Sequence, residues 1–148
     1  DFEMKIEIIN GPNMNMLGVR EPALYGNMSY RGLLGYIRRE CRARGIKPAF
    51  FQSNEEGKIV TRIQKAIKGY DGIVINAAAY THTSVAILDA LKCTGLPCVE
   101  VHITDISVRE PFRGFSYISQ YAFAVVKGKG AAGYIEALDK LLHYIKNQ

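Results

Sequence analysis

The sequence has no tryptophan, only three cysteines and no apolar run long enough to cross a lipid bilayer. The cysteines, Cys41, Cys93 and Cys98, are odd in number and lack the spacing of a metal site, so we expect reduced thiols. No charged-then-apolar leader begins the sequence. Together these absences predict a cytoplasmic protein that has no membrane partner.

Motifs that bind nucleotides, nucleic acids or metal ions are also missing. The glycine-rich segments 11–18 and 128–133 match neither a dinucleotide fingerprint nor a Walker A loop. The net charge of +5 is scattered, and its densest patch, over 38–47, is more typical of a solvated helix face than of a nucleic-acid surface. Histidines and carboxylates of suitable type for a metal occur, but no pair has a compact ligand spacing. We therefore predict no metal, no cofactor and no nucleic acid.

Apolar, β-branched runs alternate with helical patterns along the chain. The predicted strands are Lys5–Ile9, Lys47–Phe51, Gly72–Ala77, Cys98–Ile103 and Ala122–Val126. The predicted helices are Ser29–Arg44 with Ser29 as N-cap, Glu55–Lys68, Thr83–Thr94 with the threonines or Ser84 as cap, and Ala132–Lys146. This alternation predicts βαβ units and a parallel sheet in one domain that covers residues 1–148. Five such strands favour an α/β, flavodoxin-like, doubly wound sheet with the order 2-1-3-4-5.

Polar side chains cluster after the first four predicted strands. In open α/β sheets, ligands bind beyond the carboxyl ends of the strands, so the sequence predicts a site for a polar small molecule at this edge. Arg109 and Arg113 belong to the cluster and either grip a carboxylate or are ordinary surface charges. The other members are Asn10, Asn13, Asn15, Gln52, Ser53, Asn54, Asn76, Tyr80, Thr81, His82, Thr83, His102, Thr104 and Asp105.

The segment between the first strand and the first helix, 10–26, has neither a helical nor a strand period. A loop of this length in a compact domain is uncommon and usually functional. It places Arg20 five residues before Tyr25. A nearby cation favours the ionised form of a tyrosine, so this pair is a candidate for a phenolate.

Two further patterns each leave two interpretations open. Glu100 and His102 are two residues apart in a predicted strand and share a face, so Glu100 can orient His102 as a general acid or base; the alternative is a histidine satisfied by backbone groups. Asp89 follows His82 by seven residues, which places it about 10 Å away on a helix. It either faces a neighbouring subunit or is solvated.

Four segments resemble, in order, the motifs of the type II 3-dehydroquinate dehydratases. The first is Asn10-Gly-Pro-Asn-Met-Asn-Met-Leu-Gly-x-Arg-Glu-Pro-x-x-Tyr-Gly26, and the second is Gln52-Ser-Asn-x-Glu-Gly57. The third is Ile75-Asn-x-x-Ala-Tyr-Thr-His-Thr-Ser-Val-Ala-Ile-x-Asp-Ala-Leu91. The fourth comprises Val99-Glu-Val-His-Ile-Thr-x-Ile106, Arg109-Glu-x-Phe-Arg113 and Ser116-Tyr117. Residues that differ from those common in the family are Glu55, Ala77, Ala78 and Asp105.

The resemblance implies an enzyme that removes water from 3-dehydroquinate to give 3-dehydroshikimate, in the shikimate or quinate pathway. The implied reaction is an anti elimination through an enolate, with no metal and no imine. Tyr25 would be the base, kept ionised by Arg20, and Asn13 would stabilise the enolate. His102, oriented by Glu100, would protonate the departing hydroxyl group. The implied substrate-binding residues are Asn76, His82 and Arg113 for the ring hydroxyls, and Ile103 and Thr104 for the carboxylate.

The resemblance also implies features larger than the single site. A mobile lid would cover about 17–27 and close over the substrate. Asp89 would reach the site or lid of an adjacent subunit. The expected assembly is a homododecamer, built as a tetramer of trimers.

Overall fold

A computed structural model of the chain describes residues 4–19, 21, 23 and 27–148, in which five strands alternate with four long helices. The strands are β1 (Met4–Asn10), β2 (Ile46–Gln52), β3 (Gly72–Asn76), β4 (Cys98–His102) and β5 (Ala124–Lys127). The helices are α1 (Tyr30–Ala43), α2 (Glu56–Lys65), α3 (Val85–Thr94) and α4 (Ala132–Lys146). Among the described helices, none combines the length and the apolar character that crossing a membrane requires.

The sheet is parallel throughout, and its strand order is β2-β1-β3-β4-β5. This order confirms the predicted flavodoxin-like, doubly wound α/β fold. The chain goes from β1 to β2 and then returns to the other side of β1 to form β3, so the winding direction changes between β1 and β3. A crevice forms beyond the carboxyl ends of the strands at such a switch point. Asn10 and Asn76, the last residues of the two strands, are register partners there.

Apolar side chains cover both faces of the sheet. Along β3, Val74 packs in the cluster that contains α1 and α4, whereas Ile73 and Ile75 pack in the cluster that contains α2 and α3. Neighbouring residues in a strand point to opposite faces, so a wholly apolar run contributes to both clusters. Full burial of each isoleucine is worth about 1.5–3 kcal/mol relative to exposure.

Serine side chains cap the start of two helices. Ser29 Oγ accepts the Gly32 N–H at 3.0 Å at the start of α1, as the sequence predicts. Ser84 Oγ accepts the Ile87 N–H at 2.9 Å at the start of α3. The predicted start of α3 at Thr83 is wrong, because the Thr83 N–H still bonds within the preceding turn.

Two other predicted boundaries differ from the structure by two residues or more. Helix α2 ends at Lys65 instead of Lys68, because the Ala66 N–H bonds to the carbonyl three residues back and tightens the last turn. Strand β5 begins at Ala124 instead of Ala122, since the Ala122 N–H is held in the preceding turn.

A buried charge lies in the interior strand β1, within a run that is otherwise apolar. Glu7 is 1% exposed, and its carboxylate accepts a hydrogen bond from Arg62 Nε of α2 at 2.7 Å. Burial raises the pKa of Glu7, and the pairing with Arg62 opposes this increase. The ion pair fixes α2 to the centre of the sheet.

Candidate active site

A cavity of about 190 Å³ lies at the switch point, beyond the carboxyl ends of β1, β3 and β4. This is the edge at which the sequence predicts a site for a polar small molecule. Within the described part of the chain, no lysine lines the cavity. The predicted site residues that line it are Asn13, Asn76, His82, His102, Ile103, Thr104 and Arg113.

The His102–Glu100 pair lies at the end of β4. His102 Nε2 hydrogen-bonds to Glu100 Oε2, and both side chains are buried. Ser116 Oγ and Ser119 Oγ also donate to the Glu100 carboxylate, at 2.8 and 2.6 Å. Burial alone would raise the pKa of Glu100, but His102 and the two serines together hold it below the usual value. Glu100 is therefore ionised, so His102 Nε2 carries a proton and Nδ1 is the nitrogen that can exchange one with a bound molecule.

His82 ends the short 3-10 helix Ala78–His82, which follows β3. Its Nδ1 is 2.8 Å from the backbone oxygen of Phe115. A carbonyl oxygen can only accept, so Nδ1 carries the proton, and in the neutral ring Nε2 is an acceptor. His82 can therefore accept a hydrogen bond from a hydroxyl group in the cavity.

Asn13 is positioned by the loop that follows β2. Its φ of +68° lies in the left-handed region, which asparagine tolerates better than most residues. The Asn13 N–H donates to Asn54 Oδ1 at 3.0 Å. Gln52 Nε2 donates to the same oxygen at 3.2 Å and to the Gly11 carbonyl at 3.1 Å. The Gln-Ser-Asn segment thus holds the backbone of the first loop, while the Asn13 side chain is exposed at the cavity.

A buried hydrogen-bond network, absent from the sequence predictions, supports Asn76. Asn76 Nδ2 donates to the Tyr134 hydroxyl at 3.1 Å, and Tyr134 donates to Asn10 Oδ1 at 2.5 Å. Burial strongly raises the pKa of Tyr134, so its hydroxyl stays neutral and can both donate and accept. Asn76 Oδ1 accepts the Ala78 N–H at 3.1 Å. Tyr134 lies in α4, 58 residues from Asn76, and no sequence spacing connects the two.

The loop after β4 is fixed to the turn that precedes α4. The Gly128 N–H lies 3.1 Å from the Thr104 carbonyl, and the Gly130 N–H donates to the Ile103 carbonyl at 3.0 Å. Thr104 is buried and Ile103 is half-buried. Both residues therefore line the cavity on a backbone that hydrogen bonds from the turn before α4 hold in position.

Arg109 and Arg113 both line the cavity and share one carboxylate, that of Glu110. Arg113 Nε donates to Glu110 Oε1 at 2.8 Å, and Arg109 Nε is 3.8 Å from the same oxygen. The arginine side chains are only 12% and 18% exposed, so both belong to the cavity wall.

Four predicted site residues are not placed in the cavity wall. Glu100 does not line the cavity and contacts it only through His102. Asp89 is exposed on α3 and does not line it. Arg20 and Tyr25, with part of the predicted lid 17–27, lie outside the described residues. Among residues 4–19, 21, 23 and 27–148, no group of three or more histidine, cysteine or carboxylate side chains is arranged to hold a metal ion.

Of the four residues that differ from those common in the resembled family, Ala78 lines the cavity, whereas Glu55, Ala77 and Asp105 do not. Ala78 has a φ of +53°, a left-handed conformation that is strained for alanine. Asp105 does not line the cavity; its carboxylate accepts the Ser107 N–H at 3.0 Å and caps the next turn. Glu55 is exposed and pairs with Lys58 at 3.0 Å.

Comparisons with known proteins agree with one another. The profile of the family described as dehydroquinase class II matches residues 4–142. The 3-dehydroquinate dehydratase of Fusobacterium nucleatum is 50% identical over 144 residues, which cover 95% of this chain and 98% of the relative. The type II dehydroquinase from Butyrivibrio crossotus superposes with a TM-score of 0.93 at 45% identity, over 95% of this chain and 98% of that one. The type II dehydroquinase from Propionibacterium acnes has a TM-score of 0.91 at 35% identity, over 96% and 99%.

Proposed function

Because the chain belongs to the dehydroquinase class II family, we propose that it removes water from 3-dehydroquinate to give 3-dehydroshikimate, a reaction of the shikimate pathway. The observation that carries this proposal is the buried Glu100–His102 pair beside a polar cavity at the switch point of the sheet. In that pair Glu100 holds Nε2, and Nδ1 is the nitrogen that can pass a proton to a leaving hydroxyl group. The other cavity residues offer hydrogen bonds to a small polyhydroxy acid.

The reaction first needs a base for the carbon-bound proton next to the ketone. Resemblance to the family gives this role to Tyr25. A tyrosine with the ordinary pKa of about 10 is a poor base at neutral pH, so the positive charge of Arg20 has a physical purpose in keeping Tyr25 ionised. Loss of the proton leaves an enolate, and the amide of Asn13 stabilises its developing negative charge.

Collapse of the enolate then expels a hydroxyl group, which leaves as water when His102 gives it a proton. The protonated imidazole ring gives up its Nδ1 proton. Its Nε2 proton stays on the ring, hydrogen-bonded to Glu100. Glu100 stabilises the positive ring and fixes its orientation. Because the elimination is anti, Tyr25 and His102 act from opposite sides of the substrate ring.

The remaining cavity groups match the other functional groups of the substrate. His82 accepts from a ring hydroxyl through Nε2, and Arg113 donates to a second, with Asn76 completing the set. The backbone N–H groups of Ile103 and Thr104, with the Thr104 hydroxyl, receive the carboxylate. An imine mechanism needs a lysine nucleophile, and the described cavity wall contains none.

Asp89 acts, in this proposal, on the site or lid of a neighbouring subunit in a homododecamer of four trimers. Its exposure on α3, away from the cavity of its own chain, supports this role. Twelve chains of 16.5 kDa correspond to roughly 200 kDa, which light scattering measures directly. A monomeric mass would contradict the assembly, and unchanged turnover in Asp89→Ala would contradict the role.

The test of function is the ultraviolet absorbance of the conjugated enone that forms when 3-dehydroquinate is added to the purified protein. We expect turnover in the wild type and its loss in Tyr25→Phe and in Arg20→Ala, both with native circular dichroism. Normal turnover in both variants would contradict the mechanism. A wild type that binds quinate without producing the enone would instead be a binding domain. A covalent adduct trapped by borohydride would identify imine chemistry.

A further inference from the structure

The segment Glu110-Pro-Phe-Arg113 forms one turn of 3-10 helix at the cavity. Pro111 occupies its first position, where the fixed φ and missing N–H suit the start of a helix. Residues three apart in such a turn lie one above the other, so the side chains of Glu110 and Arg113 meet. The Arg113 N–H also donates to the Glu110 carbonyl at 2.9 Å. Local sequence therefore builds this ion pair.

The pairing decides which donors of Arg113 a ligand can use. A guanidinium group has one N–H at Nε and four at its two terminal nitrogens. Glu110 Oε1 holds the Nε–H at 2.8 Å, which leaves the terminal nitrogens for a bound molecule. Each of them can still donate to a hydroxyl oxygen.

The pairing also decides the charge that a ligand meets. Glu110 Oε1 lies between Arg113 Nε and Arg109 Nε, at 2.8 and 3.8 Å. Opposite charges that lie this close together reduce the net field that either presents to a third ion. Hydrogen bonds from its own backbone and from Arg113 hold the pKa of Glu110 below its usual value, so the carboxylate is ionised at neutral pH.

We propose that Glu110 is a specificity-determining residue, which offsets the charge of Arg113 and occupies its Nε–H, so that Arg113 binds an uncharged hydroxyl group and not the substrate carboxylate. The proposal rests on the proposed function, because it concerns a substrate with one carboxylate and several hydroxyl groups. Without Glu110, the Nε–H and a terminal N–H of Arg113 would form a fork for that carboxylate. A substrate held there would compete with binding through Ile103 and Thr104, and its leaving group would be displaced from His102.

The experiment compares Glu110→Gln with the matched control Glu136→Gln. Glu136 lies on α4 outside the cavity and pairs with Lys129 and, at 3.9 Å, with Lys140. Both substitutions thus remove one negative charge that two cations share. The measurements are kcat and KM for 3-dehydroquinate, inhibition by inorganic phosphate, and the increase in melting temperature that phosphate causes.

In Glu110→Gln we expect kcat and KM to fall by a similar factor, about threefold or more, with kcat/KM nearly unchanged. Misplaced substrate occupies the enzyme at saturation but does not affect the rate at low concentration, which is why both constants fall together. Phosphate is expected to bind and inhibit about tenfold more strongly. Glu136→Gln and the charge-conserving Glu110→Asp are expected to bind phosphate as the wild type does.

Unchanged phosphate binding in Glu110→Gln would overturn the proposal. So would a raised KM with unchanged kcat, because that result means that Glu110 only holds Arg113 in place. The phosphate-induced change in melting temperature requires no turnover. A wild type that does not convert 3-dehydroquinate would therefore contradict the proposed function, while the phosphate result would still decide the role of Glu110.

Discussion

At Gly11 the loop that follows β1 packs closely against the loop that follows β3, and replacing Gly11 by alanine tests that contact. A Cβ atom at Gly11 would lie 2.3 Å from the Ala77 carbonyl oxygen and 2.6 Å from its carbon. Both are backbone atoms, so no side-chain rotation relieves the overlap. The Gly11 N–H donates to the Asn76 carbonyl at 2.8 Å. The loops therefore cannot separate without stretching that hydrogen bond.

An ordinary carbon–oxygen contact of about 3.5 Å would require the two loops to move apart by about 1 Å. Loss of the buried hydrogen bond costs about 1–3 kcal/mol, and the strain of overpacking adds about 1–3 kcal/mol. We expect Gly11→Ala to lower the free energy of unfolding by about 3–4 kcal/mol and the Tm by about 10 °C. The same loops carry Asn13 and Asn76, and a displacement of about 1 Å is expected to lower kcat about 100-fold.

Urea unfolding and the enone assay measure these two effects, with Gly57→Ala as the matched control. A Cβ atom at Gly57 meets no atom within 4 Å. Gly57 lies in α2, where alanine is favoured over glycine by about 0.5–1 kcal/mol. The control is therefore expected to be as stable as the wild type or slightly more stable, with unchanged kcat. If Gly11→Ala unfolds at the same urea concentration as the wild type and keeps its kcat, the contact between Gly11 and Ala77 does not fix the positions of the two loops.

Two further substitutions probe strain beside Asn76 and the ionisation of Glu100. Ala78→Gly relieves a left-handed φ of +53° and is expected to stabilise by about 0.5 kcal/mol after the entropy cost of glycine. Ala79→Gly, at a residue without a positive φ, is expected to destabilise by about 0.5–1 kcal/mol, and equal destabilisation by both would contradict the strain. The folded pKa of Glu100 lies below its ordinary 4.5, so the stability that this carboxylate contributes is present above 4.5 and is lost as pH falls through the folded pKa. Glu100→Gln is expected to flatten the fall in urea midpoint between about pH 6 and pH 3, and equal falls in both proteins would refute this.

The parallel sheet could be predicted because its determinants are local. Each strand is a short apolar run between turn residues, and the alternation with helices restricts the topology to a parallel sheet. The Glu100–His102 hydrogen bond could also be predicted from the sequence, since residues two apart in a strand share a face. The Glu7–Arg62 ion pair could not be predicted from the sequence, because its members are 55 residues apart and meet only when α2 packs on the sheet. A charged residue in a central apolar strand is the one local sign that a partner must exist.

Three of the predicted side chains of the cavity share a property that the sequence shows only in part: one end of each is held by the protein. His102 is held through Nε2 by Glu100, and Arg113 through Nε by Glu110, in pairs two and three residues apart. His82 is held through Nδ1 by the carbonyl of Phe115, 33 residues away, and such a contact depends on how the loops meet. In each case the bound end fixes which atom remains for a ligand. Orientation settled before binding reduces the entropy cost of reaching the reactive geometry. The long-range contacts therefore turn a predictable set of residue types into a site with defined donors and acceptors.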